Sequence, residues 1–246
     1  ILVIPEALGL KYTMIEKVGP RFPEVIKSMA DVEKLRPAHA TPGHLGYVYD
    51  ALDATKKLLN NRVPLIGFAG APWTLFAYMT EGGGSKTFSK ARAMLYRDPK
   101  LAHALLEKIA LATAAYLKGK IHHGADLIQI FDSWAGVLPP AHYKEFSLRY
   151  IKLIIDEIGD EVPITVFAND ARHALPQISQ LNCDVIQLDW IADPVQARAQ
   201  VQGKVLQGNL DPVQLYAPHN EIITATNDMI DAFGGNHIVN LGHGVY

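Results

Sequence analysis

Five side chains in the 246-residue sequence stand where a strand-end cavity would use them: the carboxylates of Asp132, Asp189 and Asp211, the hydroxyl of Ser133 and the imidazole of His243. Each lies just past a short apolar run. Asp132-Ser133-Trp134-Ala135-Gly136 follows Phe131, Asp189-Trp190 follows Leu188, Asn209-Leu210-Asp211-Pro212 follows Gly208, and Gly242-His243-Gly244 follows Leu241. Hydroxyls and an imidazole can hold the polar arms of a ligand, and a carboxylate can favour a positive charge that develops during a reaction. Each residue also has a plainer use. An Asp or Ser after a strand commonly caps the helix that follows, and a lone histidine is more often structural. His243 sits between two glycines, where little side-chain bulk hides it. His122 and His123 fall in a helix tail, where a cation suits the helix dipole. Gly82-Gly83-Gly84-Ser85 could cradle a phosphate, but it follows Tyr78-Met79 rather than a strand and reads as a flexible loop or lid.

Positioning these groups requires a regular scaffold. Six nearly continuous apolar runs, 63–68, 126–131, 162–167, 185–190, 204–208 and 237–241, are rich in β-branched and aromatic residues, as parallel strands buried on both faces should be. Between them lie helices. Asp98-Pro99 supplies a cap and a first-turn proline, Leu101, Leu105, Ile109, Ala112 and Tyr116 recur near helical spacing, and Gly124 closes the segment. A second helix spans 143–158, with 45–59, 174–181, 194–201 and 220–233 filling other gaps. Strand alternating with helix means a parallel sheet. Ile1-Leu2-Val3-Ile4-Pro5 reads as a further strand entered halfway, making seven. That count, and the absence of G-x-G-x-x-G or a P-loop lysine, favour a (β/α)8 TIM barrel over a doubly wound sheet. The barrel would be incomplete, with its first strand and last helix missing. Residues 1–246 are expected to form a single domain truncated at both ends.

Twenty-three basic against 25 acidic residues leave a net charge of −2, which removes a global electrostatic case for nucleic acid or a membrane surface. No window approaches the roughly 18 consecutive apolar residues of a membrane span. The single cysteine, Cys183, can neither close an intrachain disulfide nor build a thiolate zinc site, so a cytoplasmic setting is expected.

Six blocks then stand in one order: I-G-F-A-G-A-P-W-T-L (66–75), Y-M-T-E-G-G-G-S (78–85), I-F-D-S-W-A-G (130–136), L-D-W (188–190), L-Q-G-N-L-D-P (206–212) and N-L-G-H-G (240–244). Together they resemble the uroporphyrinogen decarboxylase family over essentially the whole chain. The resemblance implies a (β/α)8 barrel, a homodimer when full-length, and cofactor-free conversion of the four acetate arms of uroporphyrinogen III to methyl groups, giving coproporphyrinogen III in haem biosynthesis. It also implies that Tyr78, Ser133 and His243 contact the substrate and that Phe131 lies beside the macrocycle as an apolar wall. No catalytic residue of the family falls within the chain. The family's aspartate would stand immediately before Ile1, and its arginine-rich block would lie further upstream, so the 246 residues alone are expected to be inactive.

Two rival readings differ in class. A zinc-dependent corrinoid or thiol methyltransferase of the same fold would need histidine and cysteine ligands near a strand end. At that strand end stand Phe167-Ala168-Asn169-Asp170, with no H-x-C. A non-catalytic fragment would leave strand edges to be covered in trans.

Overall fold

The computed structural model describes residues 1–201 and 203–245. The chain opens on helix α1 (Val3–Ala7), not on the expected strand. Five apolar residues in a row are ambiguous between the two, and burial decides: Ile4, Ala7 and Leu8 are buried while Glu6 and Gly9 are exposed, a helical spacing. A hairpin of β1 (Thr13–Ile15) and β2 (Gly19–Arg21), then α2 (Met29–Lys34) and α3 (Gly46–Leu59), follow.

Six strands then alternate with helices. In chain order they are β3 (Ile66–Gly70), α4 (Pro72–Glu81), α5 (Ser89–Arg97), α6 (Pro99–His122), β4 (Leu127–Asp132), α7 (Pro140–Tyr143), a π-helical segment (Lys144–Leu148), α8 (Arg149–Ile158), β5 (Ile164–Ala168), α9 (Leu175–Ile178), β6 (Val185–Gln187), α10 (Pro194–Gln200), β7 (Val205–Leu210), α11 (His219–Phe233) and β8 (His237–Leu241). The strands form one parallel sheet in sequence order, β3-β4-β5-β6-β7-β8. This is the wall of a (β/α)8 barrel, and all six apolar runs read from the sequence are in it. The expected seventh strand is absent from the sheet because its residues are α1.

Register sorts the side chains into two faces. Residues 131 and 167 pair across β4 and β5, and residues 187 and 207 pair across β6 and β7. One face therefore carries Phe68, Gln129, Phe131, Phe167, Gln187 and Gln207, and the other carries Ile128, Ile130, Asp132, Val166, Ile186 and Leu206 against the helices. Alternation is what places Asp132 behind the sheet and its chain neighbour Phe131 toward the interior.

Helix α6 supports this wall. Asp98 accepts the Leu101 N–H at 3.0 Å, Pro99 opens the first turn, and Leu105, Ile109, Ala112 and Tyr116 are buried. Near its end Lys120, 4% exposed, donates from Nζ to the Phe68 carbonyl at 2.8 Å on the outer edge of β3, over the Phe68 and Tyr116 rings. Burial pushes its ammonium down to about 8.

Truncating Leu105 to Ala should cost about 2–5 kcal/mol, because the site behind β3 and β4 cannot collapse. Leu111→Ala, at a position 37% exposed, should cost well under half of that. Urea unfolding of the two variants checks the difference.

Candidate active site

The carboxyl ends of the six strands open at one end of the sheet, and the polar turns singled out in the sequence lie there. Phe68, Phe131 and Phe167 stand edge to face on three adjacent strands, with successive ring centroids 5.9 Å apart. Phe68 is 43% exposed and Phe131 half-buried, so the row presents an apolar wall. Beneath it Gln129, Gln187 and Gln207 bond to one another and are buried. This amide cluster gives the interior a polar floor in which Gln129 and Gln207 donate to the Gln187 oxygen, as buried amides are expected to pair.

At the end of β4 the chain turns sharply. The Asp132 carboxylate, with 0% exposure, accepts the Thr74 hydroxyl at 2.7 Å and the Ser147 hydroxyl on its other oxygen. It does not cap a helix, as a strand-end aspartate was expected to do. Alternation points it behind the sheet, where α4 and the π-helical segment bring hydroxyls to it. Burial raises its carboxyl to about 6, against the opposing pull of those two hydrogen bonds. Tyr143 is buried beside it, and its phenol is pushed well above the ordinary value by that burial and by the Asp132 charge.

The following turn is pinned from several sides. Thr74 Oγ1 accepts the Trp134 N–H at 3.3 Å, Trp73 Nε1 donates to the Trp134 carbonyl at 2.9 Å, and the Asn169 amide donates to the Ser133 carbonyl at 3.4 Å. Ser133 caps nothing, contrary to its plainer reading. Its half-buried hydroxyl has no hydrogen-bond partner among the described residues, and neither has that of Tyr78. Tyr78, on α4, packs edge-on against the Trp134 ring at 6.4 Å and against Phe88 at 5.8 Å. The structure thus gathers Tyr78 and Ser133 around one tryptophan.

His243 lies on the other arm of the sheet, past β8. Its exposed ring meets the Trp190 ring edge-on at 5.6 Å. Gly242 permits this approach, since a Cβ there would stand 2.2 Å from the Trp190 nitrogen. Asp189 accepts the Asp170, Ile191 and Ala192 N–H groups, and Asp211 caps the turn beginning at Pro212. Both are structural, as their plainer readings had it. His123 is bonded to Asp53 at 2.8 Å and stacked on Tyr49, also a structural role. The glycine-rich loop is anchored rather than a free lid: Gly82 ends α4 at φ +92°, its carbonyl accepts the Phe22 N–H, and Gly83 bridges to Arg21.

Sequence reasoning missed the glutamine cluster, Asn209, whose amide donates to the Asp189 and Ala192 carbonyls at 2.8 Å, and the Asp132 network. Nothing in the sequence marked which face each strand residue takes. A cavity of about 580 Å³, lined by Arg21, Lys27, Lys90 and Arg97 among others, lies between the β2 segment and α4 to α6, apart from all three predicted site residues. Among the described residues no cluster of three His, Cys, Asp or Glu side chains could hold a metal ion, and burial raises the Cys183 thiol to about 11.

A profile of the family described as uroporphyrinogen decarboxylase (URO-D) matches residues 1–246. The uroporphyrinogen decarboxylase of Schizosaccharomyces pombe is 44% identical over 259 residues, covering all of this chain and 72% of that protein. The enzymes of the same name from Pseudomonas aeruginosa and Homo sapiens are 45% and 43% identical, with 71% and 70% of their lengths covered and again all of this chain. Among solved structures, a methyltransferase from Methanosarcina mazei superposes with a TM-score of 0.81 at 16% identity, over the whole chain and 72% of its own. A B12-independent methionine synthase from Shewanella gives 0.56 at 12%, over 98% of this chain and 72% of its own. Identities this low show a shared fold only.

The raised Asp132 carboxyl has a signed consequence. Between about pH 4 and pH 6 the folded chain keeps a proton that the unfolded chain has released, so this group's contribution to stability is full below that window and lost as pH rises through it. The loss is on the order of 3 kcal/mol. Urea unfolding from pH 4 to 7 should show the difference between the parent and Asp132→Asn changing in that sense; a difference constant with pH would contradict the assignment.

Proposed function

Because the chain belongs to the uroporphyrinogen decarboxylase family, we propose that it is the barrel of an enzyme that removes carbon dioxide from the four acetate arms of uroporphyrinogen III to give coproporphyrinogen III. The observation that carries this reading at the site is the pairing of the Phe68–Phe131–Phe167 wall with the unpartnered Tyr78 and Ser133 hydroxyls at one rim. A tetrapyrrole needs both: apolar surface for its ring and hydrogen-bond donors for its acid arms.

The chemistry sets further demands. A carboxymethyl group on a pyrrole loses carbon dioxide only if the electrons of the broken C–C bond have an acceptor. Protonation of the ring carbon supplies one. Loss of carbon dioxide then leaves an exocyclic enamine, which takes up a proton at its terminal carbon as the ring proton departs. Each acetate consumes one proton and yields one methyl and one carbon dioxide, with no electron left over, so the proposed route is cofactor-free. The protein must favour positive charge on the ring as it forms, and a carboxylate facing the pyrrole N–H groups does so. Among the strand-end carboxylates, Asp132 is turned behind the sheet, Asp189 accepts three backbone amides, Asp211 caps a turn, and Asp170, past β5, is exposed with the Arg172 guanidinium 4.0 Å from its carboxylate. None is placed for that role, and in this reading it falls to a residue outside the 246. Tyr78, Ser133 and His243 hold the arms, and Phe131 backs the ring.

The reading also takes the described residues as one domain, supported by a buried apolar cluster that runs from Ile4 to Phe233. It takes the enzyme as a cytoplasmic homodimer. The buried, reduced Cys183 suits that compartment, and the dimer is carried by the family resemblance alone.

In the complete gene product, Tyr78→Phe, Ser133→Ala and His243→Ala should each lower kcat/KM for uroporphyrinogen by about tenfold to a hundredfold, the worth of one or two lost hydrogen bonds to a charged arm. Chromatography of the porphyrins after oxidation measures it. The 246-residue chain alone should release no carbon dioxide above background; clear turnover would overturn the placing of the ring-facing carboxylate outside it.

A further inference from the structure

We propose that Asp132 is a positioning residue for the decarboxylation site: its carboxylate, through Thr74, locks the Ser133–Trp134 turn and the face of α4 that carries Tyr78. The inference rests on the function proposed above and adds a residue that touches no substrate.

The geometry assigns this role step by step. Asp132 is the last residue of β4 and faces away from the interior, so its carboxylate reaches no ligand at the strand ends. Both carboxylate oxygens are spent on side-chain hydroxyls, Thr74 of α4 and Ser147 of the π-helical segment. Since the Thr74 proton goes to the carboxylate, the Thr74 oxygen is left to accept the Trp134 N–H. One carboxylate therefore dictates the direction of a two-bond relay ending on the residue after Ser133. Thr74 and Tyr78 are four residues apart on α4 and share a face, and the Tyr78 ring rests on Trp134. The Asp132 carbonyl closes the loop from the backbone side by accepting the Asn169 N–H at 3.1 Å, and Asn169 in turn donates its side-chain amide to the Ser133 carbonyl.

An acid is a costly choice for this task. Asp132 is wholly buried and no cation pairs with it among the described residues. A buried carboxylate held only by hydroxyls is retained against its desolvation cost. An amide of the same shape has one acceptor oxygen where the carboxylate has two, so it must donate to one hydroxyl, and donation to Thr74 would compete with the Trp134 N–H for the threonine oxygen. The acceptor-only character of the ionised acid is what makes the relay run one way.

The test uses the complete gene product with uroporphyrinogen. Asp132→Asn and Thr74→Val should each raise KM and lower kcat/KM at least fivefold, while Thr74→Ser, which keeps the hydroxyl, should stay within twofold of the parent. In a Tyr78→Phe, Ser133→Ala background Asp132→Asn should lose most of its effect on kcat/KM, since both hydroxyls it positions are gone. Full additivity in that cycle, or a Thr74→Val enzyme with parental KM and kcat, would overturn the proposal. Ser147→Ala supplies the same cycle if Asp132→Asn does not fold, as judged by its melting curve. A parent protein without turnover would instead refute the decarboxylase reading, so the two failures are told apart.

Discussion

A single desolvated carboxylate constrains the rest of this molecule. Asp132 lies at the point where a parallel strand ends, a helix from the previous crossover passes behind it and a π-helical turn from the next one arrives. Wholly buried and with no cation paired to it among the described residues, the carboxylate requires hydroxyls at fixed positions on both neighbours, and Thr74 and Ser147 supply them. The π-helical register of 144–148 fits that demand. An extra residue in the turn changes which side chain faces the sheet, and such segments recur where a helix serves a site rather than only packing. Breaking a partnered buried group costs far more than the pair adds in net stability, so the arrangement at the end of β4 is all-or-none.

From that fixed point the candidate site is built outward. Alternation along β4 sends Phe131 to the side opposite Asp132, and the turn that follows carries Ser133. Register with β5 sets Phe167 against Phe131, and the glutamine cluster closes the floor below. The result has one apolar wall, one polar rim and, past β8, an imidazole supported by Trp190. A polyacidic tetrapyrrole matches this division, because its ring and its arms ask for different surroundings. The decarboxylation proposed for it needs an electrostatic partner for a transient cation more than a strong acid or base, which is why the proposal gives the hydroxyls the arms to hold and not the source of rate.

Much of this was legible in the sequence, for reasons that differ by element. The six sheet strands are continuous apolar runs because both of their faces are covered, and that signal survives without tertiary information. Helix α6 was equally plain, with its Asp98 cap and inward Leu105 and Ile109. Helix α4 was not, since Trp73 to Ala77 are all buried and no polar stripe marks a helical period. The Ile1 to Pro5 run misled because a buried helical turn and a strand look alike over five residues. Ser133 and His243 stood out by their strand-end positions and Tyr78 by motif resemblance alone, and the substrate-contacting role of all three came from that resemblance. Asp132 was seen but assigned the usual capping role, because its true partners lie 58 and 15 residues away and become neighbours only when the barrel wall forms.

The most direct measurement is a crystal structure of the complete gene product with coproporphyrinogen bound. The account predicts the ring against Phe131, acid arms within hydrogen-bond distance of the Tyr78 and Ser133 hydroxyls, and Asp132 still bonded to Thr74 and Ser147 behind the sheet. A porphyrinogen seated instead in the cavity lined by Arg21, Lys90 and Arg97, with Ser133 and Tyr78 untouched, would contradict it.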